Sequence, residues 1–309
     1  MISAITEFRA EATVEFRICG NLLLRESRMK TFSKMPGTGE ELRYISCPLC
    51  GSTVFKRKWC IDGAIFVRCR GCNLVVQNPQ PTSFGERYDE KYFEYEIANQ
   101  KNFLDLMLKG LDDAAFFEDI VPTLPAPRRI LDIGCATGRL LYHFKGLGWD
   151  TAGVDLCVKS AAYGNREYGV NIISKSLEDT AFPGAFFSVV HSSHLIEHVA
   201  DPGELVREVA RILLPCGVFI CVTPTLNGLQ ARIFGSWWRS AIPDHMTLFS
   251  KATLIMLLKD AGFEIELVRT WGGIAKGMAP GWLKRQIDRI AKRFNFGDVL
   301  LVVARRLKG

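Results

Sequence analysis

The chain has 309 residues, 48% of them hydrophobic and 23% charged, and carries a net charge of +6. That length allows about two domains, and the apolar content excludes a low-complexity or collagen-like chain. No apolar run reaches the roughly eighteen residues needed to span a bilayer, so no transmembrane segment is predicted.

Residues 1–45 show no clear periodicity and contain Lys34-Met35-Pro36-Gly37-Thr38-Gly39, a linker composition. They read as a disordered or mis-started extension, with Met29 and Met35 as alternative initiators. The segment has neither the apolar core of a signal peptide nor the acid-poor composition of an organellar presequence.

Residues 46–81 hold Cys47-Pro48-Leu49-Cys50 and Cys69-Arg70-Gly71-Cys72, two Cys-x2-Cys pairs separated by eighteen residues. This spacing predicts a structural zinc ribbon, its four thiolates closing a tetrahedral site. Gly51 and Gly71 are expected to supply the turns, and Ser52–Lys58 to pair with Gly63–Arg68 as a hairpin. So small a segment builds no core, so the ion would supply its folding energy. A redox role is disfavoured, because neither pair opens a helix after a strand. Cys135, Cys157, Cys216 and Cys221 fall in or beside predicted strands, where free cysteine behaves as a small apolar residue. Cysteine usage of this kind suggests a reducing, cytoplasmic setting.

Residues 82–127 read as a helical cap. Phe103, Leu106, Met107, Leu111 and Phe116-Phe117 form its apolar stripe, preceded by Tyr92, Phe93 and Tyr95.

From 128 to 309 apolar runs alternate with helical spacing. Arg129–Ile133, Thr151–Asp155, Asn171–Ser176, Phe186–Ser192, Gly217–Val222, Glu264–Arg269 and Asp298–Arg305 read as strands. Gly138–Gly146, Pro202–Leu214 and Lys251–Ala261 read as helices. The alternation predicts an α/β fold with a doubly wound, seven-stranded Rossmann-like sheet. The first strand breaks at Gly134-x-x-x-Gly138, and the second ends in Asp155. A dinucleotide loop wants a glycine where Ala136 stands, and no Gly-Lys-Ser/Thr follows for a phosphate loop. The spacing therefore suits an adenosyl ligand without a pyrophosphate, and S-adenosylmethionine (SAM) fits. Asp155 would take the ribose hydroxyls, and Asp132 lies beside the loop as an acid suited to an ammonium and a sulfonium.

Ile130 to Gly138, His194-Leu195-Ile196-Glu197-His198-Val199-Ala200-Asp201-Pro202 and Leu214-Pro215-Cys216-Gly217 resemble class I SAM-dependent methyltransferases from about residue 128 onward. The resemblance implies that Asp132, Gly134 and Gly138 line the methionine end, with Ser192 at the end of the fourth strand. It implies that Asp155 holds the ribose and that Leu177 and Glu178 flank the adenine. Cys216 departs from the family's usual glycine. With the ribbon, Asn73-Leu74-Val75-Val76-Gln77-Asn78-Pro79-Gln80-Pro81 and Tyr92-Phe93, the chain is similar to bacterial methyltransferases with an N-terminal Cys-x2-Cys ribbon. Sugar C-methyltransferases and polysaccharide-cluster enzymes are among these.

Methyl transfer to a hydroxyl or an acidic carbon needs a base. His245, after the fifth strand, and His198, after the fourth and beside Glu197, are the candidates. Some O-methyltransferases bind a divalent ion with a Glu-His at this place; capping a helix is the plainer role for His198. His191, His194 and His143 are expected in packing. The expected acceptor is a small molecule, such as a sugar nucleotide, polysaccharide precursor or lipid-linked substrate. An RNA methyltransferase is the alternative, disfavoured because the ribbon carries no basic-aromatic surface. A non-catalytic SAM-binding protein is the third reading. The oligomeric state is not legible.

From Leu283 to the C-terminus eight cations face two carboxylates, which matches the +6 of the whole chain. Leu283, Ile287, Ile290 and Phe294 fall on one helical face, expected to dock on the body. Peripheral contact with an anionic membrane is the other use of such a helix, and a rim that attracts an anionic substrate is a third.

Overall fold

A computed structural model describes residues 33–34, 41–82, 90–273 and 280–308. Most of the expected 1–45 extension lies outside the described residues. The chain opens with β1 (Ser33–Lys34), β2 (Glu41–Arg43), β3 (Phe55–Ile61), β4 (Ala64–Cys69), β5 (Val75–Gln77) and β6 (Gln80–Pro81). The long helix α1 (Glu90–Asp113) follows, and then π and 3-10 turns at Phe116–Ile120 and Val121–Thr123. Tyr92, Phe93 and Tyr95 lie within α1 rather than ahead of it.

The remainder alternates strand and helix: β7 (Arg129–Ile133), α2 (Arg139–Gly146), β8 (Asp150–Val154), α3 (Val158–Tyr168), β9 (Ile172–Ile173) and α4 (Leu177–Thr180). Then come β10 (Phe187–Ser193), α5 (Pro202–Ile212), β11 (Leu213–Pro224), α6 (Leu229–Phe234), β12 (Thr247–Leu248) and α7 (Lys251–Asp260). β13 (Phe263–Trp271), α8 (Gly281–Arg293) and β14 (Val299–Arg306) complete the order.

Seven strands form one sheet in the order β13-β14-β11-β10-β7-β8-β9. β7 to β11 run parallel, and β14 and β13 are antiparallel. Val299 to Ala304 of β14 are buried on both faces, which explains the unbroken apolar run; each valine or leucine in it contributes about 1.5–3 kcal/mol. The chain leaves β7 towards β8 on one side and lies against β10 on the other. In open α/β sheets ligands bind at such a switch point, outside the strands' carboxyl ends.

Local signals fix the helix starts. Asp201 accepts the Glu204 N–H at 2.9 Å with Pro202 at the first helical position, and Ser250 and Thr253 make a reciprocal capping box.

Several boundaries differ from the sequence reading. The third strand shrinks to Ile172–Ile173 at the sheet edge. The fifth begins at Leu213, directly after its helix, because Phe187 pairs with Leu213 before a register shift. Cys216 stands at φ 64, a left-handed conformation that glycine adopts without strain.

The four-cysteine segment differs more. Its hairpin is β3–β4, turning at Asp62-Gly63, and the sheet order is β12-β5-β4-β3. The fourth strand therefore comes from the far part of the chain, with Thr247 opposite Val76 and Leu248 opposite Val75. Cys47, Val67, Cys69, Leu74 and Val76 share a core with Val206, Leu254 and Phe249. The other face, through Phe66 and Val75, packs on Ala231, Trp238 and Ala241. Gly51 turns at φ 71 as expected, but the second left-handed turn falls on Asn73 rather than Gly71.

No helix among the described residues is long and apolar enough to cross a membrane.

Candidate active site

The loop between β7 and α2 sits at the switch point. Gly134 and Gly138 have φ 70 and 73. A Cβ on Gly138 would lie 2.8 Å from Ile172 Cδ1 and 3.0 Å from Val170 Cγ2, so glycine is required there on both counts. Ala136, between them, also turns left-handed at φ 50. Its N–H donates to Asp155 Oδ2 at 2.7 Å, and the Cys157 N–H donates to Oδ1 at 2.8 Å. Asp155 thus ties the loop to the start of α3. Each oxygen keeps a further lone pair for a hydroxyl, and burial raises the carboxyl's pKa.

Asp132 does not stand free beside the loop. It lies directly opposite His191 in the β7–β10 register, and its Oδ1 meets His191 Nδ1 at 2.7 Å, both buried. That pairing occupies Oδ1 and fixes the carboxylate at the end of β7, beside the glycine loop. Ser192, the next residue of β10, is buried and its Oγ has no partner. A buried hydroxyl costs free energy until it is hydrogen-bonded, so this group suits a ligand in the crevice. Leu177 is buried at the start of α4 and Glu178 is exposed beside it.

Glu96 of α1 was not legible as a site residue. It is buried, accepts from Ser160 Oγ of α3, and lies near enough to Asp155 to feel its charge. Burial, foremost, raises its carboxyl to about 7. The cap helix thereby brings a third acid beside Asp155; nothing in the sequence sets Glu96 apart from Glu90 and Glu94 of the same helix.

A second polar group follows β10. Glu197 is buried, and its Oε2 accepts from Thr223 Oγ1 at 2.8 Å. Its Oε1 has no hydrogen-bond partner, though His194 Nδ1 lies 3.3 Å away. Burial works to raise this carboxyl, but His194, with His198 and His245 nearby, outweighs it and holds the group at about 2. The His198 and His245 rings meet edge-on with centroids 4.6 Å apart. His198 Nδ1 lies 3.0 Å from the Asp244 carbonyl and His245 Nδ1 lies 2.7 Å from that of Ser240. A carbonyl can only accept, so each Nδ1 carries a proton and donates it. Burial lowers His245 to about 4, with His198 adding to the fall and Glu197 opposing it. His198 caps no helix; Asp201 does that. Glu197, His198 and His245 offer ligand atoms within 4.8 Å of one another, a set able to hold a metal ion.

The four ribbon cysteines also converge. Cys47 and Cys72 Sγ are 3.4 Å apart, Cys50 and Cys69 3.5 Å, and all four lie within 4.8 Å. A tetrahedral zinc with bonds of about 2.3 Å needs sulfurs about 3.8 Å apart, so the donors fit. The two polar centres are linked through backbone. The Gln77 N–H donates to Met246 O at 2.8 Å, next to His245, and the Thr247 N–H donates to Glu197 O at 3.1 Å.

Comparison with known proteins bears on this geometry. A family model described as a methyltransferase domain matches residues 107–268, just over half of the chain. A ubiquinone biosynthesis O-methyltransferase of Caulobacter sp. (strain K31) is 38% identical over 119 residues, 35% of this chain and 46% of that one. Its counterpart from Cereibacter sphaeroides is 32% identical over 133 residues, covering 40% and 54%. The chain thus spans about half the length of these curated relatives. Among solved structures, a SAM-dependent methyltransferase from Thermotoga maritima aligns with TM-score 0.51 and 20% identity, covering 72% of this chain and 97% of that one. One from Archaeoglobus fulgidus gives 0.50 and 19%, covering 69% and 99%. The glycine loop, the switch-point topology and the family match agree: this chain belongs to the class I SAM-dependent methyltransferases.

Proposed function

We propose that the chain transfers the SAM methyl group to an oxygen of a small-molecule acceptor, with His245 taking the proton. The observation that carries this reading is the clustering of buried Glu197 and His245 with half-buried His198 beyond the end of β10. SAM, when bound, supplies the methyl carbon as electrophile. Asp132, Gly134, Gly138, Asp155, Ser192, Leu177 and Glu178 would hold it, with Glu96 beside Asp155. The four cysteines would hold a structural zinc that keeps β5, and through it the His245 segment, in place.

His245 is suited to the base role by its fixed tautomer. Ser240 engages Nδ1–H, which leaves Nε2 as the atom that would take the acceptor's proton. Held at about 4, it stays neutral at physiological pH but accepts a proton weakly. It therefore suits an acidic hydroxyl, such as a phenol, better than a sugar alcohol. The named relatives, O-methyltransferases of ubiquinone biosynthesis, favour the same chemistry over the sugar and polysaccharide acceptors. They also favour a small molecule over RNA.

The convergence of Glu197, His198 and His245 ligand atoms within 4.8 Å supports a second reading of the same group. A divalent ion held by Glu197, His198 and His245 would acidify a bound hydroxyl. The test is turnover with labelled SAM on phenolic, sugar-nucleotide and tRNA acceptors, with and without chelator. Transfer to phenols alone supports the proposal. Transfer to tRNA alone removes it, and loss of turnover on chelation, restored by a divalent ion, selects the second reading.

A further inference from the structure

The sequence suggests that α8 docks through Leu283, Ile287, Ile290 and Phe294. In the structure only part of that stripe is covered. Ala291 is buried, Leu283 and Ile287 are half-buried, but Ile290 is 56% exposed and Phe294 58%. Trp282 is 63% exposed. At 3.6 residues per turn, Trp282, Arg285, Arg289, Ile290 and Arg293 share the outward half of the helix. The inward half is fixed by Asp288, which accepts the Gly273 N–H at 2.8 Å, and Lys292 on the flank pairs with Asp113 at 2.6 Å. Among the described residues no carboxylate pairs with Arg285, Arg289 or Arg293.

The apolar surface continues onto the segment that leads to His245. Phe294 stacks on Phe296 with centroids 6.4 Å apart, and the Arg232 guanidinium of α6 lies 5.2 Å from the Phe296 ring centre. Beyond Arg232, Ile233 is 62% exposed and Trp237 78%.

We propose that the outward face of α8 docks on an anionic phospholipid bilayer, with Trp282, Ile290 and Phe294 entering the interface and Arg285, Arg289 and Arg293 meeting lipid phosphates. The charge pattern selects this occupant. A second copy would set cations against cations. A nucleic acid would satisfy the arginines but leave three large apolar side chains wet. A bilayer interface accommodates both, with tryptophan at headgroup depth and cations against anionic lipid. Docking here would place α6 and the path to His245 near the membrane, where an apolar acceptor concentrates. The surface does not depend on which acceptor is methylated.

The experiment is co-sedimentation of the full chain with vesicles of phosphatidylcholine alone or with about one third phosphatidylglycerol. Binding is expected to the anionic vesicles and to weaken with salt. Each exposed cation is worth roughly a fivefold change in affinity near such a surface. Arg285→Gln/Arg289→Gln/Arg293→Gln should therefore lose on the order of a hundredfold. Trp282→Ala/Phe294→Ala should lose at least tenfold, and both variants should keep the parent's circular dichroism and SAM affinity. Absence of sedimentation with anionic vesicles, equal binding to neutral ones, or undiminished binding by the arginine variant would overturn the proposal. So would tight RNA binding, or self-association, that survives Trp282→Ala/Phe294→Ala.

Discussion

Asp155→Ala separates the two tasks that the structure gives this carboxylate. Its oxygens satisfy two backbone N–H groups, of Ala136 and Cys157, so truncation leaves two donors in a buried place. An unpaired buried group costs about 1–3 kcal/mol. With some relief from water, the apo protein should lose about 2–4 kcal/mol, a fall in Tm of roughly 3–6 °C. Through Ala136 the same change frees the loop between Gly134 and Gly138, and it removes the acceptor for the ribose hydroxyls. SAM affinity should therefore fall by about a further 1–3 kcal/mol, roughly fivefold to 150-fold. Thermal unfolding of the apo variant reads the first effect, and calorimetric titration with SAM at a temperature where the variant is folded reads the second. If Tm falls but SAM binds within twofold of the parent, Asp155 is only a tie for the loop and the ribose assignment is wrong.

Three other outcomes follow from the site. His245→Gln should lower kcat by about 10²–10⁴ while leaving SAM affinity within twofold; an equal loss of both would make it a structural residue. Purified protein should carry one zinc per chain, and its removal should speed amide exchange at Thr247 and Leu248 as well as in β3 to β5; exchange changes confined to the cysteine loops would break the proposed link to His245. Glu96 holds its proton up to about 7 in the folded state, against an ordinary glutamate near 4.3. Over that window the folded state binds more protons than the unfolded, so stability falls as pH rises, in total by on the order of 3 kcal/mol. Glu96→Gln should flatten the decline in Tm between pH 5 and 8; an unchanged slope would show that Glu96 is not the group responsible.

Much of this architecture was legible in the chain. The apolar runs of β7, β10, β11 and β14 are buried on both faces, so composition alone marks them, and the glycine spacing marks the turn between β7 and α2. What the sequence concealed depends on register and on long-range contact. Asp132 meets His191 only because β7 and β10 align those two positions. Thr247 and Leu248 form a strand too short to carry a period, so nothing foretold that they complete the ribbon sheet. Glu96 reads as an exposed helix residue until α3 is packed against it. The stripe of α8 has an ideal helical period, yet its neighbours cover only half of it, and no period reveals where the neighbours end.

Titration calorimetry with SAM, NAD and ATP tests the central assignment most directly. The account predicts one SAM site per chain, displaced by S-adenosylhomocysteine, and no heat with either phosphate-bearing ligand. Binding of NAD or ATP without SAM would contradict it.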